Sequence, residues 1–410
     1  MPASLLAIAA TLAAAVSPQT PPAVLVRGAR VLTMEGPPIL RGEVLVRGSR
    51  IAAVGRGLEI PPGTRVLDHP DGVVTPGFVE LHSHVGVSRG DINDMVLPHN
   101  MDLRTLDCLL QDSPEVRRAT AAGITTMLVI PGSGTSIGGL GTIVKTGSGP
   151  LRNRLVRFPG ALKIALHARG GNPVRRSGDL GRGRLGLHYM LRVVMAEARD
   201  YHAAWTRFER GEGLEPDFNA RLHPLRGLFR GEYPVILHAY GQNDTMTAIR
   251  ILQWGLGLRI VLSHGVYDSF KIKDILARIG VPMNIGPRQY EFEESSFVGN
   301  ASELQHAGVP VSLCTDAPVV PLEQLFLQAA VAVRLGMDYD AALRGLTIEP
   351  ARAVFIDDRV GSLAPGKDAD LVVFPGDPLD PRNAPRLVMI EGRVVYDAVR
   401  STHARARRTR

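Results

Sequence analysis

Two histidines one residue apart are the first feature of this chain with an obvious chemical use. His82 and His84 end the segment TPGFVELHSH, in which an apolar run precedes them. Residues i and i+2 of a β-strand point to the same face, so both imidazoles would project together from one strand end. The pair is either half of a metal site or two histidines on an exposed sheet face.

Other strand-like segments also end in side chains that bind metals. His238 ends YPVILH, His264 ends RIVLSH and Asp316 ends VPVSLCTD. Neutral imidazole and carboxylate suit Zn²⁺ or a similar divalent ion. We therefore predict that His82 and His84 bind one ion with Asp316, while His238 and His264 bind a second ion or assist the first.

A lysine has a comparable place in the segment ALKIALHA. Lys163 could bridge two metals only as an anion, for example after carboxylation by CO₂, because an ammonium repels cations. The alternative is a lysine whose stem packs in the core while its head reaches the rim. His167 is a further candidate ligand in this segment, and we expect only one of the two to face the metal.

Such a site predicts hydrolysis. A divalent ion lowers the pKa of bound water towards ~7 and polarises the group under attack. Asp316 would take the proton of the water and pass it to the leaving group, as general acid and base. The expected reaction is cleavage of an amide, lactam or related carbon–nitrogen bond, or a deamination.

The pattern of elements explains how these residues could meet. Between residues 76 and 359, segments typical of buried strands alternate with helix-like segments, which predicts a (β/α)₈ TIM barrel of the α/β class. The expected strands lie within 73–84, 123–132, 141–147, 161–168, 233–241, 257–265, 281–288 and 309–318. In such a barrel, the chemistry gathers where the strands end.

The segments before and after the predicted barrel have a different sequence pattern. Residues 21–75 and 360–400 are short strand-like runs broken by glycine and proline, which predict one small β-sandwich built from both chain ends. Residues 401–410 form a basic tail. Residues 1–20 are predicted to be a signal peptide, although a basic start is missing and a misassigned start codon is the alternative. A signal would direct the chain to the periplasm or outside the cell; without one it would be cytoplasmic.

Composition narrows the choice of partners. The chain has 410 residues, of which 45% are hydrophobic and 21% charged, as expected for a globular protein with a large core. Part of the formal charge of +7 lies in the arginine-rich tail, and only 5% of residues are aromatic. We expect a small-molecule substrate, no nucleic acid and no stable membrane insertion; a homo-oligomer stays open.

Three further residues are candidates for substrate binding. His99 lies in the loop after the first barrel strand, while Arg288 and Tyr290 follow the seventh. An arginine there would bind a substrate carboxylate through two parallel hydrogen bonds, or would pair at the surface with Glu291 or Glu293.

Taken together, TPGFVELHSH, GITT, the strand-end histidines, CTDAP and GSLAPGKDADLVVFPGDP resemble the amidohydrolase superfamily, and most closely its imidazolonepropionase-like members. The resemblance runs from about Ala23 to Ala398. It implies a (β/α)₈ barrel, a side β-sandwich and one or two divalent metals. By this resemblance the metal ligands are His82, His84, a carboxylated Lys163, His238 and His264, with Asp316 as the catalytic aspartate.

The chain departs from this family at two places that bear on the site. Relatives often carry a glutamate where this chain has Gly171, in the segment after the fourth strand, and another where it has Ser263. Lys163 is then the only obvious bridge between two ions. A prolidase-like dipeptidase, a heterocycle deaminase and a non-catalytic exported relative are the alternative functions.

Overall fold

The computed structural model describes residues 23–95, 97–110, 112–147, 149–166 and 183–401. The predicted signal peptide, His167 and the basic tail beyond residue 401 lie outside these ranges. In chain order, the strands and α-helices of the described part are β1 (Ala23–Val31), β2 (Ile39–Leu40), β3 (Glu43–Arg47), β4 (Arg50–Gly55), β5 (Arg65–Pro76), β6 (Phe78–Ser83), α1 (Pro114–Ala121), β7 (Ile124–Val129), β8 (Ile137–Lys145), α2 (Leu151–Arg154), β9 (Leu155–Ala165), α3 (Arg184–Glu209), α4 (Arg226–Phe229), β10 (Val235–Ala239), α5 (Gly241–Ala248), β11 (Ile260–His264), α6 (Lys273–Ile279), β12 (Met283–Ile285), β13 (Tyr290–Glu293), β14 (Ser296–Gly299), α7 (Asn300–His306), β15 (Val311–Leu313), α8 (Leu325–Arg334), α9 (Tyr339–Gly345), α10 (Ile348–Ala353), β16 (Leu371–Phe374), β17 (Leu387–Ile390) and β18 (Arg393–Asp397).

A nearly closed barrel sheet forms the centre of the molecule. Its strand order is β15-β12-β11-β10-β9-β8-β7-β6. Ser83 pairs with Ala317, and the His84 amide donates to the Ala317 carbonyl at 2.8 Å, so the first strand meets the chain that follows the last one. Each of the eight segments predicted as barrel strands overlaps a strand of this sheet. The barrel and the mixed α/β class are therefore confirmed.

The third strand runs against the predicted direction. β8 is antiparallel to both β7 and β9, whereas the other neighbouring strands of this sheet are parallel. Only residues 130–136 separate β7 from β8, fewer than the dozen or so that a parallel crossover needs. The prediction of eight parallel β/α units was wrong at this unit, because its connection is too short to return the chain to the same edge.

Both chain ends contribute to a second sheet. Its order is β18-β17-β16-β5-β1-β3-β4, with β2 beside β1. Val26, Val44 and Val74 from the first end and Leu371 and Val373 from the second are buried in one apolar cluster. The predicted two-layer sandwich is not confirmed, since the strands from both chain ends form one continuous sheet.

A buried charge cluster joins the barrel to this composite sheet. Lys145, at the end of β8, is 2% exposed, and its Nζ lies 2.7 Å from Asp370 and 2.9 Å from Asp368. Arg359 and Arg50 reach Asp368 at 2.8 Å and 2.6 Å. Burial alone would raise the pKa of Asp368, but Lys145 and Arg359 hold that pKa below its usual value. The acidic GKDAD segment therefore fixes the composite sheet to the barrel wall.

None of the helices in the described ranges has the length and apolar content that crossing a membrane requires. The longest, α3, carries charged side chains along much of its length. The helices instead cover the barrel, and buried side chains such as Leu191 and Met195 of α3 join the main apolar core.

Replacing Lys145 by methionine removes the cation between two buried aspartates. Because one-sided loss of a buried ion pair leaves charge that is poorly compensated, we expect the free energy of unfolding to fall by about 3–5 kcal/mol. Urea denaturation measures this change. The control is Arg386→Met, which breaks the exposed pair of Arg386 with Asp71 and should leave the midpoint almost unchanged. Equal midpoint shifts for the two variants would contradict a special role for the cluster.

Candidate metal centre

Metal-binding side chains meet at one end of the barrel. His82 lies at the end of β6, His238 near the end of β10, and His264 is the last residue of β11. The ligand atoms of His82, His238 and His264 lie within 4.8 Å of one another, and so do those of His82, His84 and Asp316. His82 belongs to both groups. The structure thus brings together the four histidines and the aspartate that the sequence singled out.

Each of the four imidazole rings is buried and is held through its Nδ1 atom. Two rings donate to backbone carbonyls, and two lie against serine hydroxyls. The contacts are His84 with the Ile130 oxygen at 2.8 Å, His264 with the Gly286 oxygen at 2.8 Å, His238 with Ser133 Oγ at 2.8 Å, and His82 with Ser263 Oγ at 2.6 Å. Such contacts orient metal-ligating imidazoles and leave the Nε2 atom for the ion.

The carbonyl partners also fix which nitrogen carries the proton. A carbonyl oxygen only accepts, so Nδ1 of His84 and of His264 must be protonated, and in the neutral ring Nε2 holds the lone pair. Nε2 of His84 then faces Asp316 Oδ1 at 3.3 Å. With His82, these two residues form a group whose ligand atoms could hold one ion.

His264 supplies an independent test of whether these residues suit a metal. Its Nε2 is buried and has no hydrogen-bond partner in the described part of the chain. A buried acceptor without a partner costs about 1–3 kcal/mol. A divalent ion bound at this atom would remove that cost. The donor set of imidazole nitrogens and one carboxylate is also the set that zinc prefers.

Burial keeps His82 and His264 neutral, as metal ligation requires. Burial lowers the pKa of His264 to about 4, although the nearby Asp316 carboxylate opposes this shift. Burial and the Lys163 ammonium hold the pKa of His82 well below its usual value. Both rings are therefore unprotonated at neutral pH and can offer their lone pairs.

Opposing effects act on the pKa of Asp316. Burial alone would raise this pKa, but the rings of His84 and His264 and the Lys163 amine bring it below its usual value.

Asp316 and His264 have an unusual backbone conformation, with positive φ angles of 51° and 81°. Residues other than glycine rarely adopt this left-handed region, and where they do the strain is often found at functional sites.

Lys163 lies within the same group. The side chain is fully buried, and its Nζ is 3.1 Å from His82 Nε2. Burial lowers the pKa of Lys163 to about 8, although Asp316 favours the charged form. The structure thus places this amine beside the candidate ligands, while the second candidate of its segment, His167, lies outside the described residues.

Two further residues belong to the site: Glu80, which the sequence analysis did not single out, and Ser263, which it noted only as a departure from the family pattern. Glu80 is fully buried and precedes His82 by two residues, so the same alternation that paired His82 with His84 would have placed it on their side of the strand. Burial raises its pKa to about 7 although three hydrogen bonds favour the carboxylate. Ser263 is the partner of His82 Nδ1.

The three candidate substrate residues have different surroundings. His99 is buried beside the start of β8, and burial lowers its pKa to about 4. Arg288 pairs with Glu291 at 2.6 Å, the second of the two alternatives, and lies over the ring of Tyr267. Tyr290 packs edge-on against a phenylalanine of the β13–β14 hairpin. None of these contacts tests substrate binding, which stays a prediction.

Two tyrosine rings lie beside the histidines, and no pattern in the sequence indicated their position. The Tyr240 ring lies 4.5 Å from His238 and 5.8 Å from His264, between ring centres, and Tyr267 lies 5.6 Å from Tyr240. Burial and the Asp316 charge raise the pKa of Tyr240 to about 12. This phenol therefore stays protonated at neutral pH beside the candidate ligands.

Comparison with known proteins points to one family. The model of the amidohydrolase family matches residues 234–395. The solved structure of an amidohydrolase from Thermotoga maritima MSB8 is 30% identical, with a TM-score of 0.82, over 91% of this chain and 100% of that one.

Curated relatives agree with this match at lower identity. Amidohydrolase tasK of Hapsidospora irregularis is 25% identical over 89% of this chain, which spans only 41% of the length of tasK. An imidazolonepropionase of Mesorhizobium japonicum is 24% identical over 82% of this chain and 86% of its own length.

The geometry predicts how metal content depends on single histidines. His82→Asn removes the residue common to both groups, so we expect bound zinc after dialysis to fall to a small fraction of the wild-type value. If two ions bind, His84→Asn and His264→Asn should each lose about one. Elemental analysis by mass spectrometry measures the content, with the exposed His306 as control in His306→Asn. Full zinc content in all three site variants would rule out this centre.

Proposed function

The chain belongs to the amidohydrolase family, and we propose that it hydrolyses carbon–nitrogen bonds of non-peptide amides, lactams or cyclic amides with Zn²⁺ at the barrel mouth. The observation that carries the proposal is the convergence of ligand atoms: those of His82, His84 and Asp316 lie within 4.8 Å of one another, and so do those of His82, His238 and His264. The family is metal-dependent, and the donor set fits such an ion.

The residues that would hold metal fall into the two groups described above. His82, His84 and Asp316 would hold one ion, and His238 and His264 would hold a second or complete the first. A bound divalent ion would acidify water and polarise the carbonyl or ring C=N group of a substrate. We keep one and two ions as alternatives.

Asp316 is proposed to move the proton. Its carboxylate would accept a proton from the attacking water at Oδ1 or Oδ2 and would then donate this proton to the departing nitrogen. The lowered pKa of Asp316 keeps its carboxylate deprotonated at neutral pH, as a proton acceptor must be. The rings of His82, His84 and His264 around it are buried, and burial strengthens electrostatic interactions within the site.

Lys163 is proposed to be carboxylated when two ions bind. Its Nζ is 3.1 Å from His82 Nε2, so an ammonium at this position would repel a cation held by the same ring. A carbamate would instead offer two oxygen ligands. Intact-protein mass spectrometry under native conditions tests this by looking for the added mass of CO₂ and its loss after Lys163→Met.

The substrate, the residues that contact it, the location of the protein and its assembly are also matters of proposal. A dipeptide ending in proline and an amino-substituted heterocycle are the alternative substrates, and a non-catalytic binding role is the alternative to an enzyme mechanism at this site. His99, Arg288 and Tyr290 are proposed as contacts of the substrate. Export to the periplasm is proposed if residues 1–20 are a signal peptide, and assembly into a homo-oligomer is left open.

Asp316→Asn tests the proposed mechanism. The amide cannot act as a general base, so we expect kcat to fall by roughly 10²–10⁴-fold, and chelation followed by zinc return should abolish and restore activity in the wild type. Asp338→Asn, at an exposed site, is the matched control. The assay panel contains cyclic amides, N-acyl amino acids, Xaa-Pro dipeptides and aminopurines. Activity that survives both chelation and Asp316→Asn would contradict the mechanism, and cleavage of dipeptides alone would contradict the proposed bond class.

A further inference from the structure

Glu80 lies inside the barrel at the seam between the first and last strands. It faces the same side of β6 as His82, and its side chain is fully buried. A buried carboxylate is costly unless its oxygens are fully hydrogen-bonded. The partners of Glu80 therefore indicate why the position holds an acid.

Both carboxylate oxygens of Glu80 accept hydrogen bonds from residues next to the metal centre. Oε1 accepts from the backbone amide of His82 at 2.8 Å. Oε2 accepts from the backbone amide of Thr315 at 2.8 Å and from its hydroxyl at 2.7 Å. One side chain therefore ties the residue at the end of β6 to the residue that directly precedes Asp316.

A second contact with the first barrel strand holds the segment just after Asp316. The Ala317 carbonyl accepts from the His84 amide at 2.8 Å, so Glu80 and His84 hold the chain immediately before and after Asp316. Between these anchors Asp316 takes a φ of 51°, a conformation that persists only where the surroundings impose it.

We propose that Glu80 is a positioning residue, whose carboxylate holds Thr315 and thereby sets Asp316 against His82 and His84. This inference rests on the proposed role of Asp316 as general acid and base. Glu80 contacts the candidate ligand His82 at its backbone amide and not at its ring. Its effect on Asp316 passes through Thr315.

The chemistry of the contacts explains why a neutral isostere should fail. All three partners are donors, and a carboxylate presents only acceptors. In Glu80→Gln, one oxygen becomes an NH₂ group that must face either the His82 amide or the Thr315 donors. The hydrogen bonds to either His82 or Thr315 are then lost, although the volume of the side chain is kept.

Kinetics of Glu80→Gln and Thr315→Val test the positioning role. Loss of a residue that orients groups at a metal centre commonly costs 10–100-fold, so we expect kcat to fall by about this factor while KM stays within about twofold. Thr315→Ser keeps the hydroxyl donor and should restore most of kcat. Thr120→Val is the control, because it removes buried hydroxyl bonds to Val116 and Thr146 far from the mouth.

Crystal structures of the same variants give a readout that does not need activity. We expect the distance from Asp316 Oδ1 to His84 Nε2, 3.3 Å in the present structure, to lengthen in Glu80→Gln and Thr315→Val but not in Thr315→Ser. Asp316 unmoved in both variants, or kcat equal to that of Thr120→Val, would overturn the inference. If wild type and Asp316→Asn were equally inactive, the proposed function would fail, and the crystallographic comparison would still decide whether Glu80 positions Asp316.

Discussion

Burial of four imidazoles and one amine against a single aspartate is the constraint on which this site depends. Several protonated side chains cannot be buried so close together, and burial accordingly lowers the pKa values of His82, His264 and Lys163. A neutral His264 ring avoids a buried charge but leaves its Nε2 lone pair without a hydrogen-bond partner in the described part of the chain. A shared metal ion would bind the neutral imidazole nitrogens and would balance the charge of Asp316.

The rest of the barrel can be understood as the support for this arrangement. Backbone carbonyls after β7 and β12 hold His84 and His264 in one tautomer, and hydroxyls of Ser133 and Ser263 hold the other two rings. The Ser263 hydroxyl also accepts from Asn284, which in turn accepts from Ser312. Polar groups of several strands are thereby connected beneath the site, and a displacement of one strand end would be passed to the others.

Much of the fold and the convergence of the site could be predicted from local sequence. Alternation placed His82 and His84 on one face, and apolar runs ending in His238, His264 and Asp316 marked the ends of parallel strands. The direction of β8 could not be read in this way, because its residues alternate equally well in either direction and only the short loop before it decides. The composite sheet was predictable as strands, but the number of layers depends on tertiary packing that no strand pattern encodes.

Residues that act through hydrogen bonds were harder to find. Glu80 follows the same alternation as the histidines, yet its partner Thr315 is 235 positions away, and nothing local indicates that pairing. Arg288 had two chemically equal partners in the sequence, and the geometry of the β13–β14 hairpin selects Glu291. Local patterns therefore specify which face a side chain takes, whereas its partner depends on closure of the barrel.

The central claim is most directly tested by anomalous diffraction from crystals of the protein prepared with zinc, with data collected on both sides of the zinc absorption edge. The account predicts an anomalous peak at about 2.1 Å from Nε2 of His82 and within coordinating distance of at least two of His84, His238, His264 and Asp316. A well-ordered barrel mouth with no zinc peak, or zinc bound only elsewhere on the molecule, would contradict it.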